Sequence, residues 1–327
     1  MKTMTTDAST TVAAPPDIVN ALAASPRFER DGVCFAAQNS GLYRSDDGGR
    51  SWRCAYDTLA LDAPLVTTAV AVSPAFENDH TVFAGANGGV LRSSDGGTTW
   101  HITMLPSPPP LVTALGVSPG FAEDGVVFAG TLEDGVFRSA DRGTTWSAWN
   151  FGLLDLNVLS MAISPSFVTD ETLFVGTVSG LFRSTNGGRA WREVDLPLEF
   201  APVLSVAIAT GDAGAGVLFV GTEGSGLFSS GDGGRTWRSL GADVLVGAVN
   251  GIVPAPHFPS TPALLVLLND ILLVSRDAGM SWSERQPDGE VGPGIAAVAA
   301  PLGLDPAAPL LAGLIEGGVV RLSETHP

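Results

Sequence analysis

One eight-residue phrase recurs six times along the chain at nearly even spacing, and no other feature narrows the choice of fold so far. SDDGGRSW, SSDGGTTW, SADRGTTW, STNGGRAW, SGDGGRTW and SRDAGMSW close on Trp52, Trp100, Trp146, Trp191, Trp237 and Trp282, which lie 48, 46, 45, 46 and 45 residues apart. A fixed period of this length means one supersecondary unit per step. A motif copied six times in one chain argues for architecture rather than for an active site.

Each unit follows the same grammar. In the second it runs VTTAVAVSP, AFENDH, TVFAGA, NGGVLRSS, DGG and TTWHIT. The runs rich in Val, Phe, Thr and Leu, broken by Gly, Asn, Asp and Pro, predict four short strands joined by tight turns. No segment sustains a 3.6-residue apolar period, so long helices are not expected. The first strand is apolar on both faces: Leu22, Val70, Leu115, Met161, Val206 and Ile252 alternate with Ala23, Ala71, Gly116, Ala162, Ala207 and Val253. Both faces must therefore be covered. Large residues on one face and small ones on the other suit sheets converging on a common axis, the packing of propeller blades.

The ends of the chain set the blade count. A seventh unit begins near Gly294 with IAAVAAP, continues through LLAGL and GGVVRL, and stops short of a terminal Trp strand. The β-branched segment from about Thr5 to Ala14 is free to supply that missing strand and close the ring, which removes exposed sheet edges. The prediction is all-β: a seven-bladed β-propeller of four-stranded blades. Residues 1–17 form an N-terminal segment carrying the closing strand, and residues 18–327 form the blades of the same domain.

The six phrases match the motif S-x-D-x-G-x-T-W fully or nearly so, and the chain resembles the BNR or Asp-box family from about Ile18 to Arg321. A second element, SPxFxxD, recurs as Ser25 to Asp31, Ser73 to Asp79, Ser118 to Asp124 and Ser164 to Asp170. The resemblance implies a propeller in which each box turns between the third and fourth strands, away from the face that usually binds ligands. It implies no one activity, because such propellers serve sialidases, xyloglucan-active hydrolases, sortilin-type receptors and the photosystem II assembly factor, and a shared fold does not transfer chemistry.

The residues agree with that placement. A short carboxylate accepts hydrogen bonds from N–H groups two or three residues on, and glycine supplies positive φ at little cost. Asp47, Asp95, Asp141, Asp232 and Asp277 are therefore structural. Asn186 stands in the fourth box and keeps the acceptor without the charge, a substitution that a turn tolerates and a catalytic acid does not. Arg44, Arg92, Arg138 and Arg183 each precede a box serine in the same four units that carry Asp31, Asp79, Asp124 and Asp170, and we expect ion pairs between the two sets. The fifth and sixth units have Ser229 and Val274 at the arginine position.

The formal net charge of −17 disfavours nucleic acid and anionic membranes as partners. The single lysine, Lys2, leaves no candidate for a Schiff base or a P-loop. Cys34 and Cys54 fall on the second and fourth strands of one blade, two strand spacings or about 10 Å apart, too far for a disulfide. His80, His101, His257 and His326 share no metal-ligand spacing, and neither a metal nor a cofactor is expected. No secretory leader and no long apolar run is seen, so the expected location is cytoplasmic, without membrane insertion.

The leading expectation is a non-catalytic propeller that binds a protein partner or scaffolds an assembly through an acidic loop face. The candidate positions lie in the turns between second and third strands (Asn39, Asn87, Glu133, Asp134, Glu223, Asp270, Glu316) and in the connections between blades (Tyr56, Trp149, Asp155). No catalytic residue is assigned. The alternative is a glycoside hydrolase of sialidase or xyloglucanase type acting through carboxylates at the channel mouth, such as Glu133 with Glu223. The arginine triad that the resemblance implies for a sialidase is not visible, and Tyr56 is the one tyrosine expected to be free.

Overall fold

The computed structural model describes residues 16–106, 109–210, 216–256, 258–285 and 294–322. Seven antiparallel sheets form a ring, with strands paired in the order of the chain. In blade one, Val19–Ala24 is innermost, followed by Cys34–Gln38, Gly41–Ser45 and Arg53–Cys54 at the rim. Blades two to six repeat this four-stranded pattern. Blade seven has Ile295–Ala299, Leu310–Leu314 and Val319–Leu322 among the described residues. The fourth strand expected from residues 5–14 lies outside them. The fold is the expected all-β seven-bladed propeller.

Blades interlock through a knob and a hole. The second strand carries Gly85, Gly130, Gly176, Gly221 and Gly313 at one register position, and the first strand of the following blade inserts Val112, Val158, Val203, Val249 and Val19 against them. A Cβ at Gly85 or Gly130 would lie 2.5 Å from the valine Cγ1, closer than packed atoms approach, so only glycine admits the neighbour. The Gly313–Val19 contact joins blade seven to blade one and closes the ring. A second belt runs beside it: Asn20 Nδ2 donates to the Thr67 carbonyl at 2.9 Å, Thr113 Oγ1 to Val158 at 2.6 Å, Ser160 Oγ to Val203 at 3.2 Å and Ser205 Oγ to Val249 at 2.7 Å.

The SPxFxxD elements form single helical turns, Phe28–Asp31, Phe76–Asp79, Phe121–Asp124 and Phe167–Asp170. These lie below the length that periodicity detects. Within them the serine donates to the aspartate at 2.6 to 2.7 Å, and the other carboxylate oxygen accepts the backbone N–H two residues on, as Asp31 does from Val33 at 2.9 Å. The helix phenylalanine meets the preceding blade edge-on, Phe76 against Phe35, Phe121 against Phe83 and Phe167 against Phe128.

The expected Arg–Asp ion pairs do not form. The aspartates are consumed inside their own turns, and the arginines cross to the next blade's box. Arg44 donates to the Gly96 carbonyl, Arg92 to Arg142 O at 2.8 Å and Arg183 to Gly233 O at 3.3 Å, while Arg138 stacks on Trp149 at 4.4 Å. Their co-occurrence in sequence therefore reflects a shared seam between blades, not a shared bond. Cys34 and Cys54 are free thiols, and burial pushes Cys34 up to about 12.

Candidate functional site

The two faces of the disc differ in chemistry. Box turns and short helices share one face, where the Gly48 N–H donates to Gly32 O at 2.9 Å and the Gly96 N–H to His80 O at 2.9 Å. The turns between second and third strands and the connections between blades make the other.

On the first face the boxes behave as clips. In the second, Asp95 Oδ1 accepts the Thr98 and Thr99 N–H groups at 3.0 and 2.8 Å, and Thr99 Oγ1 donates to Oδ2 at 2.6 Å. Partial burial pushes the Asp95 carboxyl up, but the Thr99 and Ser93 hydroxyls and the backbone donors outweigh it and hold it at about 2. Asp141 stands at about 2 for the same reasons, and Asp277, held chiefly by the Ser281 hydroxyl, also at about 2. Asn186 repeats the geometry without charge, accepting from Ser184 Oγ and the Ala190 N–H, both at 2.9 Å.

These carboxyls are depressed on folding, so their contribution is present above pH 4 and is lost as pH falls towards 2. Thermal denaturation should show the melting temperature falling through that window. Asp95→Asn should flatten the fall, at a cost near neutrality of no more than about 1 kcal/mol because the carboxyl is screened by solvent. An unchanged acid slope in that variant would refute the clip.

The opposite face carries most of the residues singled out from sequence. Asn87, Glu133, Glu223 and Glu316 are exposed there, and Asn39, Asp134 and Asp270 are half-buried. Asn39 is a brace, donating to Pro16 O at 2.9 Å and accepting from Asn20 at 3.1 Å. Asp155 is another: partial burial raises its carboxyl, but bonds from Asn157 at 2.9 Å and the Ser179 N–H at 2.7 Å hold it below the usual range. Glu133 and Glu223 stand on blades three and five, with blade four between them.

Two expectations are corrected. Tyr56 is buried, with its ring edge-on to Trp100 at 5.5 Å and its hydroxyl 3.1 Å from Thr67 Oγ1, and burial pushes that hydroxyl up. Chain reversal through the turn Asp57–Leu59 folds it inward. Trp149 also leaves the loop face: it is wedged between blades three and four with Arg138 at 4.4 Å and Arg189 at 5.5 Å.

What sequence missed on this face is apolar. Leu154 is 79% exposed, Val246 68% and Phe200 64%, all in connections between blades, with Leu61, Val66 and Val178 also open. Asp62, Glu199 and Asp243 stand beside them. Every arginine except Arg285, which is buried, lies in a box, in a short helix or its lead-in, or at a box-side strand end. Among the described residues the loop face thus presents carboxylates and apolar side chains with no exposed cation. It holds hollows of about 370 Å³ beside Asp57, Leu61, Asp62 and Leu65, and of about 230 Å³ beside Leu198, Glu199 and Phe200. Among the described residues no three His, Cys, Asp or Glu side chains gather as a metal requires.

No family model and no curated protein sequence matches the chain. Solved structures do. The xyloglucanase of Xanthomonas campestris is 20% identical at a TM-score of 0.72, over 94% of this chain and 52% of its own. YCF48, solved bound to D1 peptide, is 15% identical at 0.70, over 95% of both chains. The extracellular domain of the putative one-component system BT4673 of B. thetaiotaomicron is 16% identical at 0.68, over 96% of this chain and 39% of its own. The chain thus spans about half of the xyloglucanase and less of BT4673. These likenesses are to seven-bladed propellers and establish the fold.

Proposed function

We propose that this propeller is a non-catalytic binding module of the Asp-box kind that engages a protein partner through the face opposite the boxes. The observation that carries this reading is the exposure of Leu154, Phe200 and Val246 on a face that also carries Asp62, Glu199, Glu223 and Asp243 and has no exposed arginine or lysine among the described residues. Exposed apolar patches rimmed by polar residues mark interaction surfaces, and a connection loop held on a rigid disc is where propellers place function. YCF48, which matches over nearly its whole length, was solved with a peptide bound, and that supports a propeller of this size acting as a binding module.

A glycoside hydrolase needs two carboxyls about 5 to 9 Å apart across a cleft, and the candidate pair sits on non-adjacent blades and borders neither loop-face hollow described above. We therefore place substrate turnover second. The test is co-purification from native cells of the tagged wild-type chain and of Phe200→Glu and Val246→Glu, both on exposed side chains. A discrete protein retained by the wild type and lost from both variants is the expected result. Hydrolysis of xyloglucan or a sialoside by the pure protein, with no partner retained, would overturn the reading.

A further inference from the structure

We propose that the cavity between blades four and five, on the box side of the disc, is a binding site for a carboxylate-bearing ligand. This goes beyond the loop-face reading and does not depend on it.

Two blades of the chain carry the same arginine pair in different surroundings. In blades one and four, arginine occupies both the last-but-one residue of the third strand and the first residue of the outer strand. The register sets each pair directly opposite, Arg44 against Arg53 and Arg183 against Arg192. Like charges so placed destabilise a sheet. Blade one answers with Asp46, which pairs with Arg44 and, at 3.1 Å, with Arg53. The corresponding residue of blade four is Thr185, and the next, Asp47 in blade one, is Asn186. A hydroxyl and an amide thus replace two carboxylates at the one other arginine pair of this kind.

The surroundings match a receptor for what Asp46 supplies internally. Among the described residues, neither Arg183 nor Arg192 forms an ion pair within 4 Å, nor does Arg235 of the adjoining box. Arg183 engages the Gly233 carbonyl through Nη1 at 3.3 Å, while its buried Nε has no hydrogen-bond partner. A cavity of about 640 Å³ opens here, bordered by Arg183, Thr185, Asn186, Arg192 and Arg235. Glu193 and Asp195 also border it; Glu193, opposite Phe182 in the register, takes the alternate position of the outer strand, on the other sheet face from Arg192. Three guanidinium groups, whose planar forks match a carboxylate in two-point contact, therefore border a space larger than a single ion needs.

Succinate and citrate probe free small acids, an N-acetylated Glu-Glu dipeptide probes a peptide source, and inorganic phosphate probes the rival oxyanion that a guanidinium fork also grips. Titration calorimetry at low salt should detect either the small acids or the dipeptide, and which of them binds tells the source. Arg192→Ala and Arg235→Ala, both at exposed side chains, should each weaken binding by about tenfold. Thr185→Asp, which installs the blade-one arrangement, should abolish binding while leaving the circular dichroism spectrum unchanged. Silence from every probe at about 10 mM, phosphate binding in preference to carboxylates, or full binding by Thr185→Asp would each overturn the proposal.

Discussion

Gly176→Val is expected to destabilise the propeller by about 3 kcal/mol. A Cβ at Gly176 would stand 2.5 Å from Ser160 Oγ, from Val203 Cγ1 and from the Val203 carbonyl oxygen. Two of these belong to the next blade, and one is backbone, so relief requires blades four and five to separate. That separation would also break the bond from Ser160 Oγ to the Val203 carbonyl. Chemical denaturation should show a lower midpoint. Blade one is the internal control, because Ala37 holds the equivalent register position there opposite Ala21. Ala37→Gly should cost no more than about 1 kcal/mol, and equal losses in the two variants would show that the knob and hole do not hold the blades together.

Trp100→Ala is expected to cost roughly 3 to 5 kcal/mol. The indole is 6% exposed, packs against Tyr56 at 5.5 Å, and donates from Nε1 to the Ala55 carbonyl of blade one at 2.8 Å. Trp191 and Trp237 make the same bond to the preceding blade, at 2.7 and 2.9 Å. The Nε1 groups of Trp52, Trp146 and Trp282 are buried without one. Trp146→Ala should therefore cost about 1 kcal/mol less than Trp100→Ala, even though the two boxes read alike in sequence. Comparison of the two unfolding free energies checks it, and a larger loss at Trp146 would contradict the bridging role.

The contrast shows what a repeat reveals and what it conceals. Spacing of the six tryptophans, with the partial unit after Gly294, was enough for seven blades, and Asn186 was enough to mark box charge as dispensable, because both follow from comparing like positions. Partners across a seam were not legible. Arg92 and Asp79 vary together in sequence, yet one reaches the box of blade three and the other closes its own helical turn. Tyr56 read as free because the connection after it has no period, and only the reversal at Asp57–Leu59 turns its ring under Trp100. Leu154, Phe200 and Val246 were passed over because single apolar residues in loops carry no signal until the fold sets them on one face. The cavity at Arg183 and Arg192 did leave a trace, Thr185 where blade one has Asp46, but its meaning depends on strand register.

A disc divided by its cations follows, with the clips and, among the described residues, the exposed arginines on one side and a face of carboxylates and open apolar side chains without them on the other. The most direct test of that division as a functional one is site-specific photo-crosslinking in native cells. The crosslinking residue would be placed at Phe200 or Val246 on the loop face, and at Met280, 73% exposed in the sixth box, as the reference. A discrete protein adduct from Phe200 and Val246, with none from Met280, is the predicted result. The same adduct from Met280, with none from the loop face, would contradict the account.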